Sequence, residues 1–105
     1  MFEAIKSLFG QGKQEDYALL MKNGAQIVDV RTPGEYAGGH ISGSLNIPLD
    51  TLQRNLSKIK KSKPVITCCA SGMRSLSAKS ILASNGFPEV YNGGGWTSLK
   101  NKLKK

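Results

Sequence analysis

The feature that most constrains this chain is a short apolar run without polar alternation, Val65-Ile66-Thr67-Cys68, set between a lysine-rich turn and Ser71-Gly72. Successive side chains of a strand point to opposite sides, so a strand with one wet face alternates, and one that does not alternate is covered on both faces. The stretch from Ala25 to Val30 repeats the pattern, with Ile27, Val28 and Val30 all β-branched. Strands buried on both faces belong to parallel sheets, and parallel neighbours are joined by crossovers, usually helices. The chain is therefore expected to alternate strands and helices around a mostly parallel sheet with helices on both faces.

The remaining sequence supplies those pieces. Phe2, Ile5 and Phe9 repeat at helical spacing before Gly10, which predicts a short amphipathic helix, then a link through Gly12 and Lys13. Residues 1–13 are thus set apart from a domain of residues 14–105. A second helix is expected from Gln14 to Asn23, with Tyr17, Leu20 and Met21 on one face, Glu15 and Asp16 in its first turn and Gly24 as its stop. Thr32-Pro33-Gly34 turns into a short helix near Glu35-Tyr36-Ala37, Leu45-Asn46-Ile47 reads as a strand closed by Pro48, and Asp50 is placed to cap a helix carrying Leu52, Leu56 and Ile59. Ser75 opens a helix with Leu76, Ala78, Ile81 and Leu82 that Asn85-Gly86 stops; Glu89-Val90-Tyr91 is the last strand, and a final helix starts at Trp96 or Thr97.

Composition excludes several classes of function. A chain of 105 residues holds one domain with one core. Its net charge of +8 is concentrated in two runs, Lys58, Lys60, Lys61, Lys63 and Lys100, Lys102, Lys104, Lys105; outside them the charges balance. No aromatic residues interleave with either run to stack bases, so nucleic-acid binding is not expected, and the first run reads as a solvated helix end. No apolar stretch approaches the length of a membrane helix, and the start lacks the form of a signal peptide, so a cytoplasmic protein without membrane contact is expected. One His, two adjacent Cys and scattered acids offer no metal-ligand spacing, and neither a metal nor another cofactor is expected. Adjacent cysteines do not bridge each other without severe strain, so Cys68 and Cys69 must be explained as thiols.

The chemistry is expected in Cys69-Ala70-Ser71-Gly72-Met73-Arg74-Ser75, between the end of an apolar strand and the start of a helix, which is where open α/β sheets bind ligands. Such a loop turns successive backbone N–H groups toward its centre and adds the positive end of the next helix, forming a cradle for an anion. Helix N-terminus and the Arg74 guanidinium both favour thiolate over thiol, so Cys69 is expected to be an activated nucleophile without a neighbouring base. Gly72 allows the backbone to turn at the loop's apex, Ser75 is placed to cap the helix, and Arg74 to pair with an anionic substrate. Since strand side chains alternate, Cys68 points into the core as a small hydrophobe.

Four segments in order resemble a rhodanese domain: Asp29-Val30-Arg31 with Glu35-Tyr36; Gly39-His40-Ile41-Ser42-Gly43-Ser44-Leu45-Asn46-Ile47-Pro48; the loop from Cys69 to Ser75; and Val90-Tyr91-Asn92-Gly93-Gly94-Gly95-Trp96. The resemblance covers roughly residues 14 to 103. It implies a three-layer α/β/α fold about a mostly parallel, about five-stranded sheet, and a single-domain sulfurtransferase. In that family the loop cysteine, here Cys69, takes a sulfane sulfur as a persulfide and passes it to cyanide or a thiol. Partners are then small sulfur-containing anions or thiols, with an acidic protein as a possible sulfur acceptor and the chain acting as a monomer. Ala70 stands where many rhodaneses carry a second cation, which suits polysulfide or a persulfide donor at least as well as thiosulfate. Related phosphatases and arsenate reductases use a loop one residue longer than the four residues between Cys69 and Arg74, so oxyanion chemistry of that kind is a lesser alternative. The other alternative is a sulfur-carrier or docking module that recruits an acidic partner through a surface such as the Lys58–Lys63 run.

The remaining motif residues have supporting roles on physical grounds. Asp29 and Arg31 close the strand edge and hydrogen-bond the turn below the loop, Glu35 is an ion partner for Arg31, and His40 ties down backbone rather than moving protons. Trp96, beside three glycines, pins the last helix to the core.

Overall fold

The computed structural model describes residues 16–104. The helix expected over Phe2 to Gly10, the link through Lys13 and the start of the next helix lie outside the described residues.

Helix α1 spans Tyr17–Lys22; the Asp16 side chain accepts the Leu19 N–H at 3.0 Å, so this acid is the cap of the helix rather than part of its first turn. Strand β1 follows at Gln26–Asp29, helix α2 at Pro33–Ala37 and strand β2 at Leu45–Asn46. Thr32 and Glu35 close a reciprocal cap on α2, which explains how so short a helix begins where proline sets the first turn. Strand β3 is Val65–Cys69, helix α3 Met73–Ser84, strand β4 Val90–Gly95 and helix α4 Trp96–Leu103.

The α-helix expected after Asp50 is instead two 3-10 segments, Leu49–Arg54 and Leu56–Lys58, and Asp50 makes no side-chain cap. Two polar side chains account for this: Thr51 donates to the Pro48 carbonyl at 3.0 Å and Asn55 to the Thr51 carbonyl at 2.8 Å, competing with the backbone ladder and interrupting it at Asn55. Leu52 and Ile59 are buried all the same.

The strands lie in the order β2-β1-β3-β4 with every neighbouring pair parallel. Among the described residues the sheet has four strands, not about five, because each crossover ends in one of these four and no extended segment is left over. The unalternated runs are covered on both faces as expected. Val28, Val30, Val65 and Cys69 pack with Ile47, Leu52, Ala78 and Leu82 beneath α3 and the 3-10 segments, whereas Ile27, Ile66 and Cys68 pack with Tyr17 and Leu99 of α1 and α4. This makes the three-layer α/β/α sandwich. Strand β4 extends past Tyr91, where the sequence predicts its end, through Gly93 to Gly95, and a Cβ on Gly93 would lie 2.8 Å from the Thr67 carbonyl oxygen and 2.9 Å from Ile66 and Leu99. Only glycine lets β4 approach β3 that closely.

The Lys58–Lys63 stretch sits at the N-terminal edge of the sheet. Gln26, at the start of β1, exchanges two 2.8 Å hydrogen bonds with the Lys60 backbone, and Lys61 lies 5.4 Å from the Phe87 ring centroid. Cys69 ends β3 at the opposite edge, about 13 Å of strand away. No helix among the described residues is long and apolar enough to cross a membrane.

Candidate active site

Strand β3 delivers Cys69 to the sheet's C-terminal edge, where the β3–β4 register shifts between Thr67 and Cys69. The chain turns through Ala70 and Ser71, both exposed, to Gly72, whose φ of +107° suits glycine, and α3 starts at Met73. Gly72 is the cap position and has no side chain to offer, so the first N–H groups of α3 would lack an acceptor. The cysteine supplies one: Cys69 Sγ accepts the Gly72 N–H at 2.9 Å and the Ser75 N–H at 3.3 Å. The sulfur caps the helix.

Ser75 is therefore not the cap expected from the sequence. It lies inside the first turn, buried, and its Oγ is 3.0 Å from the Gly72 carbonyl and 2.6 Å from Asn92 Oδ1. Thr67 donates to the Ser75 carbonyl at 2.9 Å, which ties the turn to β3. Burial pushes the Cys69 thiol pKa up, but the Ser75 hydroxyl and the N–H groups of Ser75, Gly72 and Ser71 outweigh it, and the net direction is down. The leading causes of that drop are hydrogen bonds at the helix start, with the Arg74 guanidinium, drawn mainly to Glu35, a lesser influence on the sulfur.

Cys68, one residue back, points to the other face of the sheet among Ile27, Ile66 and Leu99. Burial, and then the Asp29 carboxylate, push its thiol up to about 12, so it stays protonated. This is the core position expected of it.

The charged residues pair differently from expectation. Arg31 is buried and holds Asp29, also buried, through Nη2 at 2.8 Å and Nε at 3.0 and 3.1 Å; it donates further to the carbonyls of Glu35 at 3.2 Å and Gly39 at 2.7 Å. Its guanidinium lies 4.7 Å from the Trp96 ring centroid, and Trp96 also packs on Gly39. Trp96 thus pins the turn after α2 as well as the last helix. The Glu35 carboxylate does not pair with Arg31, which Asp29 already occupies. It takes Arg74 instead, at 2.8 and 3.0 Å, bridging α2 to α3 at the surface. Held first by Arg74 and then by the Thr32 N–H, the Glu35 pKa falls to about 2. His40 Nδ1 lies 2.8 Å from the Tyr36 carbonyl and its ring stacks on Tyr36 at 3.8 Å, so it is held against the backbone of α2.

The sequence did not single out Asn92, which joins β4 to the loop through Ser75 and accepts the Gly94 N–H at 3.0 Å. Its sequence signals are its place in the Val90–Trp96 segment and its polarity just ahead of the three glycines. Among the described residues, no three of His, Cys, Asp and Glu gather to hold a metal ion.

Comparison with known proteins places this geometry in a family. Residues 13–102 match the Rhodanese-like domain. The chain belongs to the rhodanese-like family. It is 43% identical over 81 residues to the uncharacterized protein YqhL of Bacillus subtilis, a match covering 76% of this chain and 64% of that protein. It is 41% identical to the thiosulfate sulfurtransferase GlpE of Ectopseudomonas mendocina, over 70% of this chain and 67% of that one. Among solved structures it resembles a rhodanese with anions from E. coli, with a TM-score of 0.67 and 33% identity, over 70% of this chain and 89% of that chain. The rhodanese-like domain thus spans just under two thirds of YqhL's length.

Proposed function

We propose that this rhodanese-like domain is a sulfurtransferase that carries sulfane sulfur on Cys69. The observation that carries the reading is the sulfur's position as cap of α3, where it accepts the N–H groups of Gly72 and Ser75. A group so held is stabilised as an anion, and a sulfur added to it stays within reach of the same helix start. With thiosulfate as donor, the Cys69 thiolate attacks the outer sulfur. A new S–S bond forms, the old one breaks, and its electron pair leaves with sulfite, giving a persulfide anion. A thiol or cyanide then attacks the terminal sulfur and returns the thiolate.

Cys69 is buried, and the exposed residues of its loop that a donor meets first are Ala70, Ser71 and Met73. Met73 is 75% exposed and Ala70 carries no charge, and this wall accepts a polysulfide or a persulfide as readily as an oxyanion. The domain acts in this reading as a monomer in the cytoplasm on small sulfur anions or thiols. An acidic sulfur-accepting protein docked on Lys58–Lys63 would sit at the far edge of the sheet from Cys69, so the carrier reading has no support from that surface.

Intact-mass measurement before and after incubation with thiosulfate or polysulfide tests this. Cys69 should gain one sulfur, cyanide should remove it, and Cys69→Ser should load none. No gain from any donor, or loading that survives Cys69→Ser, overturns it.

A further inference from the structure

The hydrogen bonds around Ser75 leave one proton to be shared among several acceptors. The Gly94 N–H, which only donates, lies 3.0 Å from the Asn92 atom that faces Ser75, so that atom is the carboxamide oxygen. The Ser75 hydroxyl, 2.6 Å from the same oxygen, must then donate to it. A hydroxyl has one proton. With that proton on Asn92, the Gly72 carbonyl at 3.0 Å goes without it, and so does Cys69 Sγ, whose hydrogen bonds come from backbone N–H groups.

We propose that Asn92 is a positioning residue for Cys69: its oxygen takes the Ser75 hydroxyl hydrogen bond while the sulfur is a thiol and releases it to the sulfur once the sulfur is charged. The O–H bond never breaks; only the direction of its hydrogen bond changes. The inference deepens the reading of Cys69 as the reactive sulfur and rests on it. A thiolate or a persulfide anion is a stronger acceptor than a neutral amide, whereas a thiol sulfur is a weaker one, so the two states of the sulfur favour opposite orientations of one hydroxyl. Asn92 is well placed to do this because β4 holds it rigidly. Its backbone carbonyl accepts the Tyr17 hydroxyl at 3.2 Å, and it pairs in register with Thr67, which itself grips the Ser75 carbonyl.

The other ionisable groups around Cys69 do not act through this hydroxyl. Arg74 on α3 is paired with Glu35 of α2, Asp29 is paired with Arg31 beyond the end of β1, and Cys68 on β3 faces the opposite side of the sheet. Asp50 and Arg54 of the neighbouring 3-10 segment are exposed, and from Asn92 to Gly95 strand β4 has no ionisable side chain.

The test needs no sulfur donor, so its failure is separate from failure of the sulfurtransferase reading. Alkylation of Cys69 by iodoacetamide is followed against pH, with the modified cysteine assigned by peptide mass mapping, in the parent protein and in Asn92→Ala, Ser75→Ala and the double variant. Asn92→Ala should release the hydroxyl to the sulfur and lower the midpoint by about one pH unit, the size of one hydrogen bond to a charged group. Ser75→Ala should raise the midpoint, and Asn92→Ala should add nothing in that background. An equal shift with and without the Ser75 hydroxyl, or no shift, overturns the proposal. Should Asn92→Ala fail to fold, Asn92→Asp keeps an oxygen in place. Its carboxylate should raise the midpoint more with Ser75 present than with Ser75→Ala, and an equal rise in both overturns the proposal.

Discussion

Arg74 carries the only fixed positive charge between Cys69 and Ser75, and Glu35 holds it in a bidentate pair at the surface. An anionic donor must compete with that carboxylate, and because the pair is exposed and screened by solvent the competition is a modest one. Glu35→Gln should therefore raise the rate of Cys69 loading by subsaturating thiosulfate about fivefold through KM, and leave loading from an uncharged trisulfide unchanged. The same change for both donors would show that Glu35 acts on the fold instead. Because the Glu35 pKa sits near 2, below its ordinary value, the pair is complete above the usual carboxylate range and is lost only as pH falls toward about 2. Loading rates from pH 5 to 8 should accordingly follow the ionisation of Cys69 and rise with pH to a plateau reached below the ordinary thiol range. Cys68, held up near 12, should stay unalkylated in the native protein at a pH near 8 while Cys69 reacts; peptide mapping showing equal labelling would contradict the burial argument. The partnership of Glu35 with Arg74 was not legible in the sequence, because it joins residues on two helices that meet only after the sheet has formed, and local spacing favoured Arg31.

At the level of elements, what the sequence made legible was what a short window determines. β1 and β3 followed from unalternated apolar runs, the short helix α2 from the turn at Thr32-Pro33-Gly34, and the reactive loop from its place between β3 and α3. What it hid was decided by competition or by distance. The segment after Pro48 has helical spacing, yet Thr51 and Asn55 side chains turn it into 3-10 segments. Ser75 has the composition of a cap, yet the sulfur six residues earlier already holds its N–H. Two glycines set the cost of altering these elements. Gly72→Ala must keep a left-handed φ and should lose about 1–2 kcal/mol in urea unfolding, since its Cβ meets only Gly94 Cα at an ordinary 3.6 Å. Gly93→Ala adds a steric clash against the Thr67 carbonyl and should lose more than Gly72→Ala, while an equal or smaller loss would mean that β4 shifts freely away from β3.

Across the whole molecule the sheet has a reactive edge and a basic edge. The sequence showed both the lysine run and the cysteine loop but not that a strand's length separates them, because that follows from the parallel order β2-β1-β3-β4. Replacing Lys58, Lys60, Lys61 and Lys63 together with glutamine should leave Cys69 loading from thiosulfate within about twofold, as fully exposed charges that far away are screened. A tenfold loss would place a donor route across that edge. The two neighbouring thiols have a further use at this scale, because they face opposite layers of the sandwich. Once Cys69 is blocked, Cys68 reacts only in molecules whose sheet has opened, so its labelling rate in excess reagent reads out the opening equilibrium directly. The domain thus carries, without any introduced probe, a gauge of its own conformational fluctuations.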